Sequence, residues 1–188
     1  MRCIGKSGIV AMLLIFFLTT TVAAQVTLVR DINPFAVSSS PQDLTEVNGT
    51  LFFTADDGTS GRELWKSNGT AANTVLVRDI RVGAGIGSEP RELTNVNGIL
   101  FFTADDGTSG RELWKSNGTA AGTVLVKDLK PGADTSSPSG LTNVTGTLFF
   151  AADDGTNGIE IWKTSSAALE GTSSGCFIST VESKGLLQ

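Results

Sequence analysis

The sequence predicts an all-β fold of three four-stranded repeats, each of about 49 residues, stacked face to face like the blades of a propeller. Four observations predict it. The block LFFTADDGTSGRELWKSNGTAA stands at Leu51–Ala72 and again, letter for letter, at Leu100–Ala121, with a degraded third copy from Leu148. Trp65, Trp114 and Trp162 mark the phase, 49 and then 48 residues apart. Turn signals with Asn-Gly or Asp-Gly at their tips arrive every 8–14 residues, at places where the backbone needs a positive φ. Finally, Leu100, Phe101 and Phe102 run consecutively, as do Val124, Leu125 and Val126, so both faces of each sheet carry apolar groups.

The first element is an export segment. Arg2 and Lys6 precede an uncharged apolar run from Ile9 to Leu18, followed by TTTVAAQ. A basic start, a short apolar core and small residues before a cut are the layout of a secretory signal. Val22 and Ala24 fit the small −3 and −1 positions, so residues 1–24 are expected to be removed and the mature chain to begin at Gln25. Ten apolar residues span about half of the ~20 that a membrane helix needs, so no stable membrane span is expected after cleavage. Losing Arg2 and Lys6 takes the formal charge from −5 to −7, and losing Cys3 leaves Cys176 without an intramolecular partner.

Residues 25–163 form the repeat domain, with units at about 26–74, 75–123 and 124–163. Each opens on one prelude: VTLVRDI at Val26, VLVRDI at Val75 and VLVKDL at Val124. In the middle unit the β-branched prelude predicts a strand over Val75–Ile80. Leu93–Val96 and Ile99–Ala104 follow as a hairpin about Asn97-Gly98, the strongest short hairpin signal. Asp105-Asp106-Gly107 turns the chain into Arg111–Lys115, which Ser116-Asn117-Gly118 closes. No window after Gln25 has a 3.6-residue periodicity, so no helix is expected. Nine of the eleven aromatics after residue 24 fall at repeat-equivalent positions. Each ring removes roughly 150–250 Å² from water on burial and supplies the glue between units. Residues 164–188 contain no prelude, no LFF and no Trp, and read as a degenerate, disordered tail.

These residues carry a resemblance. The run LFF-x-ADDG-x-x-G-x-ELW-x-S-x-GT, continuing as ELWKSNGTAAGTVLVKDL from Glu112, resembles the ELWxxDGT repeat family of secreted, mostly bacterial proteins. Asn117 stands where the family usually has Asp, and the third copy reads EIW from Glu160 and loses the S-x-GT segment. The resemblance covers about 140 residues and implies propeller-like repeats in an exported or surface protein, without implying an activity. Propellers close with four to eight blades, and three are present, so an incomplete or truncated propeller is expected. Self-association through exposed blade faces, a short open stack and an unusually small ring are the other arrangements open to it.

The chemistry is restricted. A chain without His has no imidazole base, no Ser-His-Asp triad and no His metal ligand. Nineteen acidic against 14 basic groups argue against a nucleic-acid partner. The candidate metal ligands are the repeated turn pairs Asp56 and Asp57, Asp105 and Asp106, and Asp153 and Asp154, close to Glu63, Glu112 and Glu160. Oxygen ligands on a tight Gly turn suit weak calcium binding; otherwise the chain implies no cofactor. The competing reading makes these Asp residues turn formers that cap backbone N–H groups. A glycosidase pair is disfavoured because a catalytic acid and base need unlike environments, whereas these carboxylates recur with the same neighbours. Arg62 and Arg111, replaced by Ile159 in the third copy, read as solvated edge charges. Asn48, Asn68, Asn117 and Asn143 begin N-x-[ST] triplets, which read as turns or, in a eukaryotic product, glycan acceptors.

The expected function is a secreted or cell-surface structural or binding module without catalysis, facing an unknown protein or carbohydrate. The rival readings are a fragment of an extracellular propeller hydrolase or lyase, and a calcium-stabilised adhesion module.

Overall fold

The computed structural model describes residues 24–35 and 37–164. The predicted signal at 1–24 lies outside them except for Ala24, as does all of the tail at 164–188 except Thr164. The described chain is all-β: eleven strands form three antiparallel sheets, and the only helical turn is a 3₁₀ turn at Ala71–Asn73. Sheet I runs β1 (Gln42–Val47), β2 (Thr50–Asp56), β3 (Arg62–Ser67) and β4 (Val75–Arg78). Sheet II repeats it with β5 (Arg91–Val96), β6 (Ile99–Asp105), β7 (Arg111–Ser116) and β8 (Val124–Lys127). Sheet III has β9 (Ser139–Val144), β10 (Thr147–Asp153) and β11 (Ile159–Lys163) among the described residues.

The strand positions follow the local chemistry. Asn48 and Gly49 both take positive φ, 50° and 78°, as do Asn97 and Gly98 at 51° and 82°. That is the backbone of a two-residue hairpin turn whose twist matches the strands it joins. Thr145 takes φ 48° at the third copy, a conformation that a β-branched residue adopts only under constraint. Each sheet's first strand carries a β-bulge, between Gln42 and Thr45, between Arg91 and Thr94, and opposite Phe149–Ala151. The extra residue is held at positive φ: 53° at Asp43, 57° at Glu92 and 66° at Gly140.

One expectation about phase is corrected. Val75–Arg78 pairs with β3 (Trp65 opposite Leu76, Lys66 opposite Val75) and is the last strand of sheet I, not the first of the next unit. β8 closes sheet II in the same way. The reason is local: only Asn68 to Thr74 separate the two strands, and a short connection joins antiparallel neighbours. A longer loop, from Asp79 to Pro90, carries the chain on to the next sheet.

Consecutive Phe residues serve opposite faces because side chains alternate along a strand. Phe102, Leu100, Ala104 and Trp114 pack against Val47, Phe52, Leu64 and Val77 of sheet I and against Ile80 of the loop that leaves it. Phe101 points the other way, with Val96, Leu113 and Leu129, against Leu148, Phe150 and Ala152 of sheet III. Sheet II is therefore a layer buried on both sides, and Phe101 and Phe102 are both wholly buried. A third cluster, Phe53, Ala55 and Trp65, lies on the far face of sheet I with Ile32.

Polar ties repeat between the sheets. Asn95 Nδ2 donates to the Glu46 carbonyl and Asn143 Nδ2 to the Asn95 carbonyl, both at 2.9 Å, so the three first strands lie side by side. Arg78 donates to the Thr123 carbonyl at 2.6 Å and lies 5.9 Å above the Trp114 ring, within cation–π range. The Asn48 amide is itself engaged, donating to the Gly98 carbonyl at 3.3 Å.

Gly61 shows how tightly the loop between sheets I and II is docked. Its φ is +70°, and a Cβ there would lie 2.4 Å from the Gly87 amide nitrogen. Gly61→Ala is expected to lower stability by more than about 1 kcal/mol, read as a drop in the urea midpoint. Gly49→Ala has positive φ but meets nothing within 4 Å, so its cost is confined to the backbone term. Equal losses at the two sites would remove the docking argument.

Candidate functional site

The acidic residues singled out by the sequence are found in two separate places. The Asp-Asp-Gly pairs end β2, β6 and β10 and form one turn three times. Asp56 Oδ1 accepts from the Gly58 amide at 2.8 Å, and Asp57 Oδ1 accepts from the amides of Thr59 (2.8 Å) and Ser60 (2.7 Å). Asp105 takes the Gly107 amide at 2.7 Å, and Asp106 takes those of Thr108 at 2.8 Å and Ser109 at 2.7 Å. Asp153 takes the Gly155 amide at 2.7 Å, and Asp154 takes those of Thr156 at 2.9 Å and Asn157 at 2.7 Å. This is side-chain mimicry of a backbone turn. Burial raises the pKa of Asp57 and Asp106, but the donated hydrogen bonds outweigh it and leave both carboxyls below the ordinary Asp value.

The first Asp of the later turns also reaches across to the preceding sheet's exit loop. Arg81 Nη1 lies 2.8 Å from Asp105 Oδ2, and Lys130 Nζ lies 3.1 Å from Asp153 Oδ2. Both pairs are partly exposed, so each contributes little on its own. Asn33 stands at the matching position ahead of sheet I, next to Gly58.

Glu63 and Glu112 do not join the Asp turns. Each is fully buried and clasped by the loop that leaves its sheet. Glu63 accepts from the Ser88 amide at 2.8 Å, the Ser88 hydroxyl at 2.5 Å and the Arg81 amide at 3.3 Å. Glu112 accepts from the Ser136 amide at 2.8 Å, the Ser136 hydroxyl at 2.5 Å and the Leu129 amide at 3.2 Å. Burial raises both carboxyls above the ordinary Glu value, and the serine hydrogen bonds oppose it without cancelling it. Glu160, their counterpart on β11, is exposed. Among the described residues no three acidic or thiol groups gather where they would hold a metal.

Arg62 and Arg111 correct an expectation. They are half-buried, not solvated: Arg62 Nη1 donates to the Ser40 carbonyl (2.9 Å) and Thr54 Oγ1 (3.1 Å). Arg111 Nη1 donates to the Glu89 carbonyl (2.9 Å) and Thr103 Oγ1 (3.1 Å). Each ties the start of a strand to the loop before its sheet. The residues that composition and spacing did not single out are Ser88 and Ser136. Their signal is a Ser two places before a Pro in every unit: Ser39 before Pro41, Ser88 before Pro90, Ser136 before Pro138.

Chemically, the arrangement holds backbone in place. The acidic oxygens face amides, hydroxyls and, at Asp105 and Asp153, a cation of the preceding sheet's exit loop, and both clasps are built from a serine amide, its hydroxyl and one further loop amide. Compared with models of protein families, with curated proteins and with solved structures, the chain matches none.

Proposed function

We propose that this chain is a secreted or cell-surface module of β-propeller-type repeats, related to the ELWxxDGT family, that scaffolds or binds and performs no catalysis. The observation that carries this reading is the use of the recurrent carboxylates as backbone clasps. Glu63 and Glu112 have matching donors and a pKa moved in the same direction, whereas an acid–base pair needs two unlike environments. The propeller arrangement is supported by the side-by-side first strands, by the apolar faces between successive sheets, and by a fourth strand followed by a crossing loop in each complete unit. The ligand class is a protein or carbohydrate held by the exposed loops between sheets.

Three measurements test it. The full chain, expressed in a secreting host, should be released with its N-terminus at Gln25; retention with residues 1–24 intact removes the export reading. Asp106→Ala should lower stability by about 1 kcal/mol by freeing two turn amides, and millimolar calcium should leave the melting temperature of either form unchanged. A calcium-dependent rise lost in Asp106→Ala would instead favour the adhesion module. Glycan cleavage by the purified chain that disappears in Glu63→Gln would overturn the non-catalytic reading.

A further inference from the structure

Sheet III is one strand short among the described residues, and the sequence of that strand stands elsewhere in the chain. In sheets I and II the third strand is followed by VLVR or VLVK, which pairs along it as β4 or β8. Beside β11 no described strand does so. At the other end, VTLVRDI at Val26–Ile32 matches VLVRDI at Val75–Ile80.

The last residues of that segment are already seated as their counterparts are. Arg30 Nη1 donates to the Thr74 carbonyl at 2.5 Å, as Arg78 does to that of Thr123 at 2.6 Å. Ile32 joins Phe53, Ala55 and Trp65, as Ile80 joins Phe102, Ala104 and Trp114. The residues before them are not: Val26 is 98% and Leu28 82% exposed, in a stretch that belongs to no described sheet.

Two further features have the same gap. Glu160 is exposed, without the Ser clasp that buries Glu63 and Glu112. Ser39 occupies the place of Ser88 and Ser136: its carbonyl accepts from the Asp56 amide at 3.0 Å, as theirs do from Asp105 and Asp153 at 2.9 Å. No described glutamate reaches its amide or hydroxyl. The apolar face of sheet III is also open, with Ile161 73% and Val144 47% exposed, whereas the matching Leu64 and Val47 of sheet I pack against sheet II.

We infer that a second copy of this chain completes the third sheet. Residues 27–30 of one copy add as the fourth strand along β11 of the other, and Glu160 of that sheet closes on Ser39 of the donating copy. The register follows β3 and β4: Lys163 opposite Thr27, Trp162 opposite Leu28, Ile161 opposite Arg30. The interface is thus a third instance of the joint that the chain makes twice within itself. Main-chain hydrogen bonds supply its affinity and the Glu–Ser clasp its register. The proposal rests on the propeller reading. Two copies then give six sheets, inside the range of four to eight that closes a ring, with each copy donating once and accepting once.

The test uses the mature chain from Gln25 in sedimentation equilibrium at micromolar concentration. The expected mass is twice that of the chain. Val29→Pro removes an amide from the added strand, and Glu160→Ala removes the clasp; each should weaken the dimer at least about tenfold. Neither position is in a core cluster of the single copy, so its urea unfolding should be unchanged. A synthetic peptide of residues 25–33 should split the wild-type dimer, while a scrambled peptide should not; this readout is independent of how the variants fold. A wild-type monomer, whether residues 165–188 or a foreign protein fills the edge, overturns the inference, as does a dimer indifferent to both substitutions and to the peptide. A monomer that unfolds in one cooperative step removes the exchange and leaves the propeller reading standing. Sheets that melt singly remove that reading.

Discussion

Glu112→Ala is expected to cost about 3 kcal/mol or more, because it strands two Ser136 donors and the Leu129 amide in a buried site. Glu112→Gln keeps the shape and one acceptor oxygen, so its loss should be about a third of that. The urea midpoints of the two variants provide the check; equal losses would mean that the carboxylate acts only as filler. The same clasp makes stability depend on pH. Burial holds Glu63 and Glu112 above the ordinary Glu value, so the unfolded chain releases these protons first as pH rises. Stability from these groups is therefore greatest below the ordinary Glu value, falls as pH rises through the raised folded value, and levels off above it. Asp57 and Asp106 act in the opposite sense: their lowered values add stability above the ordinary Asp range, lost as pH falls through the folded value. The combined curve should peak on the acid side of neutrality. Melting temperatures between pH 3 and 8 test it. A continuous rise up to pH 8, the same in wild type and in the Glu63→Gln, Glu112→Gln double variant, would contradict the assignment.

Phe101→Ala and Phe102→Ala should each lower stability by about 3–5 kcal/mol, the range for emptying an aromatic site in a packed core. The two neighbours act on different joints. Phe102 fills the space between sheets I and II, and Phe101 that between sheets II and III. Phe149 holds the same repeat position as Phe101 but is half-buried, on the open face of sheet III. In a single copy, below the concentration at which two copies associate, Phe149→Ala should therefore cost about 1 kcal/mol. Identical sequence context with unequal losses would locate the difference in the neighbouring sheet. Equal losses at Phe101 and Phe149 would mean that sheet III is covered in the isolated chain.

Much of this architecture was legible because the relevant physics is local. Asn-Gly at residues 97–98 dictates a hairpin through backbone sterics alone, and consecutive Leu100, Phe101 and Phe102 dictate a sheet with two apolar faces. The phase of the unit was not legible. A periodic sequence has no intrinsic start, and VLVRD at Val75 is assigned by its short link to β3, not by its composition. The clasps were hidden for another reason: Ser88 and Ser136 lie 25 and 24 residues from their glutamates, beyond the reach of any local pattern. The tethering role of Arg62 and Arg111 is masked in the sequence because Ile159 replaces them in the third copy. That replacement sits in the sheet whose neighbouring glutamate is also unclasped, so it reports a changed environment and not a dispensable contact.

The letter-for-letter identity of Leu51–Ala72 and Leu100–Ala121 has a consequence for the route to the native state. A nascent chain offers β4 and β8 two chemically indistinguishable docking partners, and only one choice for each is native. Pairings one repeat out of step keep the same local hydrogen bonds, so they form kinetic traps of the kind that slow refolding in tandem arrays. The sorting falls to the short links that join β3 to β4 and β7 to β8, and to the few positions where the copies differ, such as Asn73 against Gly122 and Arg81 against Lys130.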